Sequence, residues 1–311
     1  MGRALVIGCG GTLGFAWTAE VLAELERQGW DPRTADVLVG TSAGAELVAM
    51  LGAGITAEAI ASESDPRVRS HLHSPGAPGS LPGLPRPGLP GLGLARAGLT
   101  GKVDRLAGIA GLLPRGSGNA DWLVRLGEAL APGCWVDHPD TWLVAADART
   151  GHRVPLGRAD SPSAGLGQAI AASWAIPGWF PPVDIAGRPH LDGGTVSPTS
   201  ADLLLPAVKD GRIDEVVIVA PMSSRGGAPA RGLQRLERAL RKPMTRRVDD
   251  EVEALIHAGA RVTRIEPTAA DLAAMGANFM DRSRREHVRE VARAQAPDLV
   301  SQSLNTPEVA R

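Results

Sequence analysis

Val37-Leu38-Val39-Gly40-Thr41-Ser42-Ala43-Gly44 is the stretch on which the reading of this chain turns. Val37–Val39 reads as a short buried strand, and the run Glu46–Leu51 beyond the second glycine reads as a helix. Between them, Gly40-Thr41-Ser42-Ala43-Gly44 matches G-x-S-x-G. A serine at a sharp strand–turn–helix junction needs small neighbours so that its hydroxyl projects from the turn. The helix behind it supplies free N–H groups and positive potential, which suit an oxyanion. The plainer reading is a glycine-rich turn whose serine caps the helix. The pattern alone leaves both open.

Upstream, the apolar run Ala4–Ile7 reads as a first strand that exits into Gly8-Cys9-Gly10-Gly11-Thr12-Leu13-Gly14. A helix over Thr18–Gln28 follows, with Val21, Leu22 and Leu25 on one face. A glycine-rich turn ahead of a helix points backbone N–H groups at an anion. Gly8, Gly10 and Gly14 would also fit a dinucleotide fold, with Asp31 or Asp36 as ribose ligand. A phosphate site and an oxyanion hole share the same physics, so the next strand's tip has to decide. A dinucleotide site wants an acid there; this chain has Ser42. Downstream, Leu191-Asp192-Gly193-Gly194 places a carboxylate at the tip of a short strand, although Asp-Gly is also a common turn.

Apolar runs at Trp142–Ala145 and Val216–Ala220 read as further buried strands. Helical patterns cover Gly165–Ala172, Val248–Ala258, Ala269–Met275 and Arg282–Ala294. Alternation of this kind predicts an α/β fold with a largely parallel sheet. The 311 residues suffice for one large domain or two ordinary ones, and 43% hydrophobic residues argue against general disorder. With 33 basic and 34 acidic residues the net charge is −1, so no global field favours nucleic acid. Aromatics make up 3% and tyrosine is absent, which leaves few platforms for stacking bases.

Three ordered elements now stand together: an N-terminal glycine loop, G-x-S-x-G some thirty residues later, and a distal D-G-G. With Ala172-Ser173-Trp174-Ala175-Ile176-Pro177-Gly178-Trp179-Phe180-Pro181-Pro182 ahead of Asp192, they resemble the patatin-like phospholipase family over roughly residues 4–220. The resemblance implies a three-layer fold, with a central, mostly parallel sheet flanked by helices. It implies a lipid acyl hydrolase using a Ser42–Asp192 dyad, with Gly10, Gly11 and Thr12 as oxyanion hole and an acyl-enzyme intermediate. An acyltransferase or thioesterase would share that dyad, and a catalytically weak lipid-binding protein is the reading from another class. No metal and no cofactor are required. In the family's G-x-G-x-x-G this chain has Cys9 at the first glycine, and Leu13 where many members carry Arg or Lys. Cys9 is tolerable unless its position needs a positive φ. Among seven histidines, His257 and His287 follow Asp192 in the order a Ser-acid-His triad would need, but both fall in helical patterns. His190 lies two residues before Asp192 and would share its strand face.

Residues 1–225 are therefore expected to form the catalytic portion, with an insertion at about 74–101, and 226–311 to add helical and strand elements packed on the same domain. Ser74–Gly101 carries six Pro, eight Gly and six Leu in 28 residues and should be irregular. It reads as a poorly ordered surface insertion or as an apolar lid over a lipid cleft. Arg231–Arg247 holds seven basic residues and one acid, with Leu233, Leu236 and Leu240 at helical spacing up to Lys242, before Pro243. It reads as a solvated helix face or as a peripheral contact with an anionic membrane. Two cysteines make neither a disulfide framework nor a zinc site, so a reduced, cytoplasmic setting is expected. Five residues before the lipobox-like Val6-Ile7-Gly8-Cys9 leave no room for a signal segment, and Val6 breaks the myristoylation pattern.

Overall fold

The computed structural model describes residues 2–74, 83–103, 105–227, 232 and 234–309. In chain order the elements are β1 (Arg3–Ile7), α1 (Gly11–Arg27), β2 (Val37–Thr41), α2 (Ala43–Gly52), α3 (Ala57–Ala61), α4 (Pro66–Leu72), α5 (Leu92–Leu99), α6 (Arg105–Ala110) and α7 (Asp121–Leu130). They continue with β3 (Thr141–Asp147), β4 (Arg153–Leu156), α8 (Leu166–Ser173), β5 (Val183–Ile185), β6 (Arg188–Asp192) and α9 (Leu205–Lys209). The last are β7 (Glu215–Val219), α10 (Gln234–His257), β8 (Arg261–Ile265), α11 (Ala269–Met275) and α12 (Arg285–Asn305).

The strands form one sheet in the order β5-β6-β3-β2-β1-β7-β8, with β4 paired to β3. β3, β2, β1, β7 and β8 run parallel, while β4, β5 and β6 supply the antiparallel pairings. Because side chains alternate along a strand, the sheet feeds two cores. Leu5, Ile7, Leu38, Leu143, Val217 and Ile265 face a layer built from α1, α2, α7, α8 and α12. Val6, Val39, Trp142, Val216, Ile218 and Val262 face the layer of α9 and α10. This is the three-layer architecture expected.

Register brings the site together. Thr41 pairs with Val144 and Asp192 pairs with Ala145, so β2 and β6 both end at successive residues of β3. Ser42 follows the first end directly, and Asp192 is the second.

The expected elements differ in extent. Helix α1 starts at Gly11, well before Thr18, because the glycine loop itself forms its first turn. Helix α12 runs to Asn305 rather than Ala294. The basic helix does not stop before Pro243 but continues through it to His257. Proline there removes one bond, to the carbonyl of Ala239, and Ala239 is exposed so that water can replace the donor. Arg231 and Leu233 lie outside the described residues, as does the side chain of Leu236. Of the insertion, residues 75–82 are likewise outside, but the expectation of irregular chain fails for its end. Leu92–Leu99 is a helix, crossing α6 where Gly91 meets Gly111 and Gly98 meets Gly108. The missing side chains permit an approach that pays back their poor helical propensity.

Candidate active site

Ser42 occupies a sharp turn between β2 and α2, at φ 57° and ψ −120°. Few non-glycine residues hold a positive φ, which costs roughly 1–2 kcal/mol. Its side chain makes no cap bond to α2, so the plain N-cap reading does not hold. The hydroxyl instead lies near enough to the Asp192 carboxylate to favour its charged form. The Ser42 N–H donates to Ser173 Oγ at 2.8 Å, and that hydroxyl donates to the Val144 carbonyl at 2.6 Å. Both glycines of the motif are sites of close approach. A Cβ on Gly40 would meet Val48 Cγ2 at 2.5 Å, and one on Gly44 would overlap the Ile7 carbonyl.

Asp192 is 4% exposed, and its Oδ1 accepts the Gly194 N–H at 2.7 Å. Burial pushes its pKa up to about 7, while the Ser42 hydroxyl and the Gly194 amide pull it back down. The two glycines after it are again packing requirements. A Cβ on Gly193 would meet the Val144 carbonyl at 2.5 Å, and one on Gly194 would lie 2.9 Å from Cys9 Cβ.

The loop ahead of α1 completes the constellation. The Cys9 N–H donates to the Pro198 carbonyl at 2.8 Å and the Leu13 N–H to the Phe279 carbonyl at 3.0 Å. Between them, the N–H groups of Gly10, Gly11 and Thr12 have no acceptor among the described residues. Three free amides at the start of a 17-residue helix form a concentrated donor site. Gly11 needs its glycine: its φ is +57°, and a Cβ would lie 2.5 Å from the Phe279 ring. Cys9 is not among the residues with positive φ, so cysteine is accommodated there without strain. Burial and the nearby Asp192 carboxylate push its thiol pKa far up, which leaves it an inert side chain. Leu13 is fully buried in the core, a place that favours an apolar residue over a cation.

No histidine is hydrogen-bonded to Ser42 or Asp192 among the described residues. His190 is buried and bonds the Arg188 carbonyl, while His257 and His287 are exposed. Asp31 caps its own turn by accepting the Arg33 N–H, and Asp36 accepts the Arg3 N–H at the far end of β2 from the glycine loop. Neither can act as a ribose ligand there. Among the described residues no three His, Cys, Asp or Glu side chains gather as a metal site.

Sequence reasoning missed several supports of this site. Phe279 and Met280, from the turn after α11, cover Gly11. Arg241 of α10 is buried and donates to the Pro221 carbonyl at 2.6 Å, and Pro221 packs against Gly10 and Gly14. The basic segment keeps Arg235, Lys242 and Arg246 exposed, as a solvated face would, but turns Arg241 inward, paired with Glu237, and sets Arg247 against Asp202 and Glu251. Only the amphipathic spacing hinted at an inner face. Two hollows lie near these elements, neither lined by Ser42 or Asp192: a small one of about 30 Å³ beside Thr12, Glu46, His71 and Trp174, and an open one of about 710 Å³ reaching Gly194 and Thr195.

The fold and this site define a three-layer α/β protein with a serine elbow, a buried aspartate and a glycine loop whose amides have no acceptor among the described residues. Residues 5–205 match the family model described as patatin-like phospholipase, and the chain belongs to that family. No curated protein matches it. Among solved structures it is similar to VipD from Legionella pneumophila, at 15% identity and a TM-score of 0.45, over 97% of this chain and 67% of that one. It is also similar to the type III effector protein ExoU, at 17% identity and a TM-score of 0.38, over 98% of this chain. The chain spans about half of ExoU, 54% of its length.

Proposed function

We propose that this protein is a lipid acyl hydrolase of the phospholipase or lysophospholipase type, working through a Ser42–Asp192 dyad. The observation that carries the reading is a strained, uncapped serine whose hydroxyl favours the charged form of a buried carboxylate, beside three amides with no acceptor among the described residues. Ser42 Oγ attacks the ester carbonyl and its proton passes to Asp192. The oxyanion is held by the amides of Gly10, Gly11 and Thr12. Collapse breaks the bond to the alcohol, which leaves with the proton from Asp192. Water then attacks the acyl-Ser42 ester, again yielding a proton to Asp192, and the fatty acid departs as Ser42 recovers its proton. An ordinary Asp, with a pKa of ~3.9, is a poor base for an alcohol. A pKa near 7 makes Asp192 a better one.

The same reading takes 1–225 as the catalytic portion with 226–311 packed on the same unit, working in the cytoplasm with peripheral membrane contact. No helix among the described residues is long and apolar enough to cross a membrane. A fluorophosphonate probe tests the core of it. Wild-type protein should be labelled, while Ser42→Ala should not react and Asp192→Asn should react at least about a hundredfold more slowly. Folded wild-type protein that stays unlabelled and hydrolyses no ester would leave a lipid-binding protein instead.

A further inference from the structure

Ten large hydrophobic residues are exposed among those described, and seven of them lie between Leu84 and Leu113. A soluble domain scatters such residues singly, and their concentration marks a surface with a partner. On α5 apolar side chains occupy both faces, unlike an ordinary surface helix. Leu94, Ala95 and Ala97 face inward, while Leu92, Arg96 and Leu99, at helical spacing, face solvent. Leu99 is 90% exposed. Ile109, Leu112 and Leu113 repeat this at the end of α6.

The charges point to what the partner is. Arg86, Arg96, Lys102 and Arg115 are all exposed, and none has an ion-pair partner among the described residues. From 83 to 118 the only acid is Asp104. An isolated antiparallel bridge holds Arg86 opposite Arg115, with the Arg86 N–H donating to the Arg115 carbonyl at 2.8 Å. Like charges directly opposite repel, and an external anion relieves that. Apolar side chains interleaved with unpaired cations match the interface of an anionic bilayer, acyl boundary for the leucines and phosphates for the cations.

Position links this surface to the dyad. Leu94 packs with Ala107 and Leu191, the residue before Asp192. Gly101, Lys102, Val103 and Ala107 form one wall of the open 710 Å³ hollow, and Gly194 and Thr195 form another. We propose that the α5–α6 hairpin is a docking wedge for anionic phospholipid surfaces, seating the protein so that this hollow opens toward the lipid. What the docking serves rests on the hydrolase reading above; the docking itself is testable without it.

Binding is measured on the full chain carrying Ser42→Ala, by cosedimentation with phosphatidylcholine vesicles and with vesicles that also contain phosphatidylglycerol. The phosphatidylglycerol vesicles should bind more tightly, with the difference shrinking as salt is raised. Leu92→Asp with Leu99→Asp should weaken binding about tenfold or more, since both leucines would leave the acyl boundary. Arg86→Glu with Arg115→Glu should abolish the preference for phosphatidylglycerol. In the Ser42 background, both pairs should retain the wild-type Tm and hydrolysis of a soluble short-chain ester. Unchanged vesicle binding in the leucine pair, or no binding by the parent protein, overturns the wedge. So does a dimer that the leucine pair dissociates, because the face would then join two copies of this chain. Vesicle binding with no fluorophosphonate labelling would remove the hydrolase reading and leave the wedge standing.

Discussion

Ser42 and Asp192 are both burdens on stability, for different reasons. Ser42 holds a backbone conformation that serine disfavours, and Asp192 holds a carboxylate where water is excluded. In the proposed mechanism Asp192 sets the pH dependence. As a base it must be ionised, so kcat/KM should rise with pH through about 7 and level off above it; a profile flat from pH 5 to 9 would contradict its role. Stability runs the other way. The folded pKa lies above the unfolded one of 3.8, so the folded state loses stability as pH rises from about 4 to about 7. Asp192→Asn should therefore raise stability by on the order of 1–3 kcal/mol at pH 8, and by little at pH 4, in thermal melts at both values. Gly44 shows a constraint of another kind. Its Cβ would overlap a carbonyl of β1, a helix-to-strand backbone contact that no side-chain rotation can relieve. Gly44→Ala should cost about 3 kcal/mol or more, read as a lowered denaturation midpoint.

Helix α10 is the element that reading the sequence least prepared for. Its buried Glu251 accepts the Ser197 and Thr199 hydroxyls, each at 2.5 Å, and the Ala201 N–H at 2.9 Å. Those residues flank Pro198, whose carbonyl accepts the Cys9 N–H. About three turns apart on α10, Arg241 braces the glycine loop through Pro221 and Glu251 braces it through Pro198. Glu251→Ala would leave three donors without an acceptor and Arg153 and Arg247 with Asp202 as their remaining acid. A loss of about 3–5 kcal/mol is expected in urea melts, together with slower fluorophosphonate labelling. Labelling at the wild-type rate would show that the brace does not govern the loop. The seven cations of this segment were legible, but their direction was not, since inward-facing arginines are specified by acids contributed from Glu237, Asp202 and Glu251 in the folded arrangement.

Across the whole molecule, the described residues beyond 225 are tied into the layers around the site. β8 extends the parallel sheet beside β7, and α12 lies along α1. Buried Glu20 of α1 receives Arg289 at 3.2 Å and Arg293 at 2.9 Å, and the Phe279 carbonyl takes the Leu13 amide. A fragment ending at residue 225 would expose the α1 face and the β7 edge and strand Glu20 without a partner. It should fail to unfold cooperatively by circular dichroism, whereas a cooperative and fluorophosphonate-reactive fragment would show these residues to be an appendage.

The elbow around Ser42, the glycine loop and the parallel sheet were all legible in the sequence. Each is a local matter: small residues where backbones must cross, apolar runs where strands are buried, and a helix start where amides are free. Asp192 was legible only through its family resemblance, because an Asp-Gly turn has many uses. What brought it to Ser42 is register, with two strands from distant parts of the chain ending on neighbouring residues of β3. Tertiary structure also decided the pKa near 7, the cover of Phe279 over Gly11, and the inward turn of Arg241. Burial, closure and pairing at long range are properties of where segments meet, and no local spacing carries that information.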